Sequence, residues 1–239
     1  ELPVYYSLGS AEYFAQGAVS LLDKLGVIDY LHFGSECGNL QSLQEIASIL
    51  SSESDTYVTY LKEYQKKGES FASARYYALM QELSSEKAAL TKEPNNTLAI
   101  EYIKALMMRQ SSIQPVTLKR QGNGYNAPSL NNELASASAI RNFMQDKQAD
   151  YVRLVDQIPS SVYSSLINNR EYLYADDFSS ILYYKLINCF HSGHDLSGIY
   201  DITEFLSDIF RKHLPEYTSF QQFCLDCKTR NVTFTRIAR

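Results

Sequence analysis

The sequence has no apolar stretch that approaches the length of a bilayer span and nothing at its start that reads as a signal peptide, so a membrane-anchored or exported protein is excluded as an expectation. Positive charge is not in excess. With 22 Lys and Arg against 27 Asp and Glu, the net charge is −5, which argues against a generalised nucleic-acid binder. No cluster of carboxylates announces a dedicated metal site, and no internal repeat or low-complexity run appears. Tryptophan is absent; most of the 19 tyrosines fall at helical spacing and read as core residues with a wet hydroxyl. What remains is the composition of a soluble cytoplasmic protein: 239 residues, 45% hydrophobic, 21% charged, with 10 Gly and 6 Pro, enough for one large or two modest cores.

Against that background three short polar motifs stand out in order: Pro94-Asn95-Asn96, then Lys119-Arg120 closing an apolar run, then Ser136-Ala137-Ser138-Ala139-Ile140-Arg141. Asparagine amides, a guanidinium and paired hydroxyls can hold an adenine edge, a ribose and a row of phosphates without hydrolysing them. No nucleophile is implied. Ser136 or Ser138 is a natural N-cap for a helix running through Ile140 and Phe143. The free N–H groups of such a helix start favour an anion, and Arg141, one turn in, reaches toward a phosphate oxygen. Gly34 follows the β-like run 27–33, at the carboxyl end of an expected strand. Asn95 or Asn96 would bond ribose or base, or cap the helix that starts before Leu98. Arg120 ends the strand-like run 115–120. Tyr125, in the Gly- and Asn-rich stretch after it, is the candidate for stacking on a base.

The periodicity predicts an α/β fold: helices over 10–25 (ending at Gly26), 57–67 and 71–83, a Ser42–Glu45 capping box, and strands at 27–33 and 115–120. This arrangement suits the carboxyl half of a doubly wound, Rossmann-like sheet over 1–150. A mainly helical domain over 151–239 follows, with helices at 160–168, 177–188, 199–213 and 220–227. Cys189, His191 and His194 precede Cys224 and Cys227 at a spacing zinc sites can use, but Phe220, Phe223 and Leu225 place the latter pair on an apolar helix face, so no metal is expected. From Lys228 the chain carries Lys228, Arg230, Arg236 and Arg239 with no acid, alternating with Val232, Phe234 and Ile237 as in an edge strand. Such a ribbon could track RNA phosphates.

Taken together, the matching stretches resemble the bacterial tRNA(Met) cytidine acetate ligase family of nucleotidyltransferases. They are Glu1-Leu2-Pro3-Val4-Tyr5-Tyr6-Ser7, residues 11–20, Phe33-Gly34-Ser35-Glu36, Ser73-Ala74-Arg75, residues 94–106, Leu118-Lys119-Arg120, Gly124-Tyr125, residues 135–141 and 228–237. The most specific is the Asn95-Asn96 stretch leading into Ile100-Glu101-Tyr102-Ile103-Lys104-Ala105-Leu106. The resemblance implies a ligase that activates acetate with ATP, accompanied by Mg2+, to acetyl-adenylate and acetylates N4 of the wobble cytidine of elongator tRNA(Met). It implies Gly34, Asn95, Asn96, Arg120, Ser136, Ser138 and Arg141 at the ATP, and Lys228, Arg230, Arg236 and Arg239 at the tRNA. Neither a membrane nor a stable protein partner is expected.

One departure is serious. The family's early His-x-x-His-type motif would precede Glu1, and His32, His191, His194 and His213 do not reproduce its spacing. The catalytic residues are thus expected upstream, the chain reads as an internal piece of a longer enzyme, and alone it should bind nucleotide weakly and form no adenylate. The competing readings are a non-catalytic RNA-binding or interaction module of the same fold, or another adenylyltransferase.

Overall fold

The two apolar runs expected as strands pair in parallel, with a register from Tyr30↔Gln114 to Ser35↔Lys119. The computed structural model describes residues 1–121, 135–146, 148–168 and 172–239. Along them run α1 (Val4–Ser7), α2 (Ala11–Leu25), β1 (Tyr30–Ser35), α3 (Leu40–Ser52), α4 (Asp55–Lys66), α5 (Phe71–Leu79), α6 (Ser85–Ala89) and α7 (Pro94–Arg109). There follow β2 (Gln114–Lys119), α8 (Ala137–Gln145), α9 (Ser160–Asn168), α10 (Ser179–His191), α11 (Glu204–His213), α12 (Phe220–Asp226) and α13 (Phe234–Ala238). The chain divides into two compact units, Glu1–Ser164 and Ser165–Arg239, so the division falls inside α9 and residues 151–164 belong with the first unit.

Parallel strands need a crossover, and in the first unit α3 to α7 supply it. The last of these, α7, is the axis of the unit. Its Ala99, Ile100 and Ile103 join Leu43, Ile46 and Leu50 of α3 and Leu79 of α5 in one core cluster, while its Ala105 and Leu106 join Val19 of α2 and Ile113 in another. Full burial of a single Leu or Ile stabilises by about 1.5–3 kcal/mol, so these residues dominate the folding of the unit. On β1, Leu31 and Phe33 face this core, with Phe33 stacked on Tyr102 of α7 at 5.8 Å between centroids. Tyr30, His32 and Gly34 alternate onto the exposed face. An ion network centred on buried Glu101 also crosses this unit: Arg75 meets Glu101 at 3.1 Å, and Lys104 meets Glu101 at 3.4 Å and the more exposed Glu12 at 2.6 Å.

Local signals explain most helix ends. Gly26 terminates α2 at φ +66°, a left-handed conformation that costs glycine nothing. Ser54, Ser70 and Ser84 cap α4, α5 and α6 by accepting backbone N–H bonds. Two expectations are corrected. The Ser42–Glu45 capping box does not form, because Asn39 caps α3 and accepts from the Ser42 N–H, leaving Glu45 to pair with Lys87. The helix expected to start after Asn95 or Asn96 starts earlier, at Pro94, whose missing N–H and fixed φ suit the first helical position.

In the second unit, Leu186, Leu196, Leu206, Phe210, Phe223, Cys227 and Val232 form the core. Burial pushes the Cys224 thiol up to about 11 and the Cys227 thiol up to about 12, so both stay protonated and pack as small apolar side chains. The tail after Lys228 is not the edge strand its alternation suggested. Thr229 turns the chain by accepting from the Val232 N–H, and Thr233 caps α13. No helix among the described residues is long and apolar enough to cross a membrane.

Candidate nucleotide site

Three elements meet at the carboxyl ends of the strands, where open parallel sheets bind ligands. There β1 ends at Ser35, β2 runs out through Lys119 into Arg120, and α7 begins at Pro94. Ser35 is fully buried and ties the end of β1 to β2. Its carbonyl accepts from the Arg120 N–H at 2.9 Å, and its hydroxyl lies 2.7 Å from the Thr117 hydroxyl while accepting from the Gly38 N–H at 3.0 Å.

Gly34 proves to be the penultimate residue of β1, not a turn residue after it. The lack of a side chain matters here for space. A Cβ on Gly34 would sit 3.3 Å from Cγ of Arg120, so the arginine stem lies flat across the bare backbone. The guanidinium of Arg120 is exposed and makes no hydrogen bond or ion pair among the described residues. Gly38, at φ +62°, gives the second close approach, since a Cβ there would lie 2.5 Å from Cβ of Lys119.

Asn95 and Asn96 occupy the first turn of α7, and the structure separates their roles. Asn96 is fully buried; its Oδ1 accepts from the Cys37 N–H at 3.1 Å, and its Nδ2 has no partner. Asn95 is half-buried, and its Nδ2 donates to Glu36 at 2.6 Å. Both backbone N–H groups are taken by the same carboxylate, at 3.1 Å from Asn95 and 2.7 Å from Asn96. Burial pushes the Glu36 carboxyl up, but the bonds from the Asn95 side chain and from the backbone outweigh it and hold the group below its usual value. Gly34, Asn95, Asn96 and Arg120 are thus brought together through Ser35 and Glu36.

The second cluster is the start of α8. Ser136, buried, is the N-cap and accepts from the Ala139 N–H at 3.1 Å. Arg141 is exposed and donates to the Ser138 hydroxyl at 3.3 Å, with no acidic partner among the described residues. Serines and arginine therefore share one helix start, with α8 beginning immediately after the cap. Tyr125 and its glycine-rich neighbours lie outside the described residues.

The basic residues of the second unit present differently. Arg236 and Arg239 both converge on Asp201, Arg236 at 3.2 Å, and Asp201 itself adopts φ +65°. Lys228 is exposed beside α12, and Arg230 lies in the turn that leads to α13.

Sequence reading passed over Glu36 and Ser35, although both stand in the stretch Phe33-Gly34-Ser35-Glu36. No local pattern could have exposed them, because the partners that tie them to β2 and α7 are 59 to 85 positions away along the chain.

Comparisons with known proteins bear on the family and the fold of the chain. The model of the HIGH nucleotidyl transferase family matches residues 1–239. A tRNA(Met) cytidine acetate ligase from Clostridium kluyveri is 38% identical over 248 residues, covering all of this chain and 60% of the relative. One from Clostridium novyi is 35% identical over 244 residues, again with 100% and 60% coverage. The crystal structure of Thermotoga maritima TmcAL in its apo form superposes with a TM-score of 0.87 at 31% identity, over all of this chain and 57% of that one. The form bound with alpha-thio ATP superposes at 0.83 and 30% identity, covering 56% of that chain. The chain thus spans about 60% of the length of the curated relatives it matches. With a parallel strand pair whose carboxyl ends gather a glycine, an arginine and the start of a helix, and a family match over its full length, the chain belongs to the HIGH nucleotidyl transferase family.

Proposed function

We propose that the chain forms the adenine-nucleotide site of a tRNA(Met) cytidine acetate ligase, which activates acetate with ATP and acetylates N4 of the wobble cytidine of elongator tRNA(Met) in the cytoplasm. The observation that carries this reading is Arg120, whose stem lies across the bare backbone of Gly34 at the strand ends and whose guanidinium has no partner among the described residues. The names of the relatives and the nucleotide in the Thermotoga maritima structure supply the substrate class.

The chemistry asks for groups of this kind. Attack of an acetate oxygen on the α-phosphorus forms acetyl-adenylate and expels pyrophosphate, and negative charge gathers on the phosphoryl oxygens. Arg120 and Arg141 neutralise that charge, and Ser136 and Ser138 with the α8 start contribute hydroxyls and N–H groups. Half-buried Asn95 contacts the nucleoside, and Asn96 supports the loop beneath it. Mg2+ would accompany the triphosphate. The second unit, Ser165–Arg239, forms the tRNA-binding part, where Lys228, Arg230, Arg236 and Arg239 meet backbone phosphates.

ATP titration of this chain by calorimetry, together with acetate-dependent formation of N4-acetylcytidine in elongator tRNA(Met) by the complete open reading frame, tests the assignment. Saturable ATP binding that Arg120→Ala and Arg141→Ala each weaken about tenfold or more is expected, since a hydrogen bond to a charged group contributes about 1.5–3 kcal/mol. Binding that neither substitution weakens, or acetylation that needs no acetate, would overturn it.

A further inference from the structure

We propose that Glu36 is a positioning residue that sets the hydrogen-bonding polarity of the nucleotide site: it turns the Asn95 amide so that only its carbonyl oxygen faces ligand, and thereby selects a nucleoside offering a donor at that point. This rests on the nucleotide-site reading above.

An ionised carboxylate accepts hydrogen bonds and donates none. Glu36 Oε1 accepts from Nδ2 of Asn95 at 2.6 Å and from its backbone N–H at 3.1 Å, and Oε2 accepts from the Asn96 N–H at 2.7 Å. The reverse orientation of the Asn95 amide would set lone pair against lone pair, so chemistry alone assigns Nδ2 to the carboxylate side. Oδ1 is left pointing away. It accepts no hydrogen bond from any described residue, and Asn95 is only half-buried. Asn96 cannot take this role, because it is fully buried with Oδ1 committed to the Cys37 N–H.

The same contacts have a second consequence. Two of the N–H groups with which the start of α7 could hold a phosphate are already saturated by a fixed negative charge. The α7 start therefore repels phosphate and reads the nucleoside, leaving phosphates to Arg120 and the start of α8. Glu36 is placed for this by Ser35, the last residue of β1, whose carbonyl also anchors Arg120.

The donor that meets Asn95 Oδ1 is either the 6-amino group of adenine or a ribose hydroxyl, and the two sources separate experimentally. Dissociation constants are measured for ATP, inosine triphosphate (an acceptor in place of the 6-amino donor) and 2′-deoxy- and 3′-deoxy-ATP, on the wild-type protein, Glu36→Gln and Asn95→Ala. The wild type is expected to bind one analogue at least tenfold more weakly than ATP; inosine triphosphate identifies the amino group and a deoxy analogue the ribose. In Glu36→Gln the new amide can donate to Asn95 Oδ1 and turn it around, so that penalty should shrink to threefold or less, or invert. Asn95→Ala, which has no acceptor to present, should lose the same discrimination and keeps the test alive if Glu36→Gln does not fold. A purely structural role for Glu36 would weaken all nucleotides alike, and unchanged ratios in both variants would overturn the proposal. So would equal wild-type affinity for all four nucleotides, whereas absence of any ATP binding by the wild type would remove the nucleotide-site reading itself.

Discussion

The two arginine groups of this protein look alike in sequence and differ in what surrounds them. Among the described residues, Arg120 and Arg141 in the first unit carry guanidiniums with no acidic partner, whereas Arg236 and Arg239 in the second share Asp201. An unpaired guanidinium can approach a new anion at the cost of its own hydration. A paired one must first give up its carboxylate, so it offers less net affinity for the same formal charge. Basic residues counted along a chain therefore say little about which are free to bind.

The largest effect that could break this contrast comes from Arg120→Ala against Arg236→Ala. The first should cost about tenfold or more in ATP affinity, the loss of one charge-assisted bond, and the second should leave calorimetric ATP binding unchanged. Equal losses would end the distinction. Next, Asp201→Ala frees both C-terminal arginines. If they face RNA, the slope of log affinity against log salt for elongator tRNA(Met) should steepen by roughly one to two, at about 0.7–0.9 per phosphate neutralised. An unchanged slope would mean that these arginines never meet phosphate.

Smaller effects sharpen the comparison within each unit. Gly34→Ala sets a methyl 3.3 Å from Cγ of Arg120, so the arginine stem must shift by a few tenths of an ångström. ATP affinity should fall a few-fold with little change in thermal stability. Acid and alkaline stability should divide between the units. Glu36 has a lowered pKa, so its contribution is present above about 4.5 and is lost as pH falls through the folded value; Glu36→Gln should flatten the acid limb of a stability profile. Cys224 and Cys227 have raised pKa values. From about pH 9 upward the unfolded thiols ionise while the folded ones hold their protons to about 11 and 12, so stability should decline over that range. Cys224→Ala and Cys227→Ala should each lessen that decline.

How much was legible beforehand follows from how local each signal is. The end of α2 at Gly26, a serine cap on α8 (Ser136 or Ser138 in the sequence, Ser136 in the structure) and the whole of α9 need only neighbouring residues, and the expected bounds are close to those observed. The strands were legible as apolar runs, but β1 lies three residues later at its start and carries Gly34 inside it, because pairing with β2 sets the register. The tail alternates like a strand yet forms a turn and a short helix, since Val232 and Ile237 pack into the second unit's core, where no partner strand lies. Which asparagine could face a ligand was open in the sequence and is decided by burial and by Glu36.

The chain by itself determined the chemistry available: which amides, hydroxyls and guanidiniums exist, the helix caps, and the family to which their order belongs. Only the tertiary structure decided which of those groups are free. Glu36 claims the start of α7 and Asp201 claims two arginines across gaps of 35 to 60 positions, while the Arg120 guanidinium beside Gly34 has no partner among the described residues. Availability is a property of what a polar group already touches, and long-range contacts of that kind are written in no local pattern of residues.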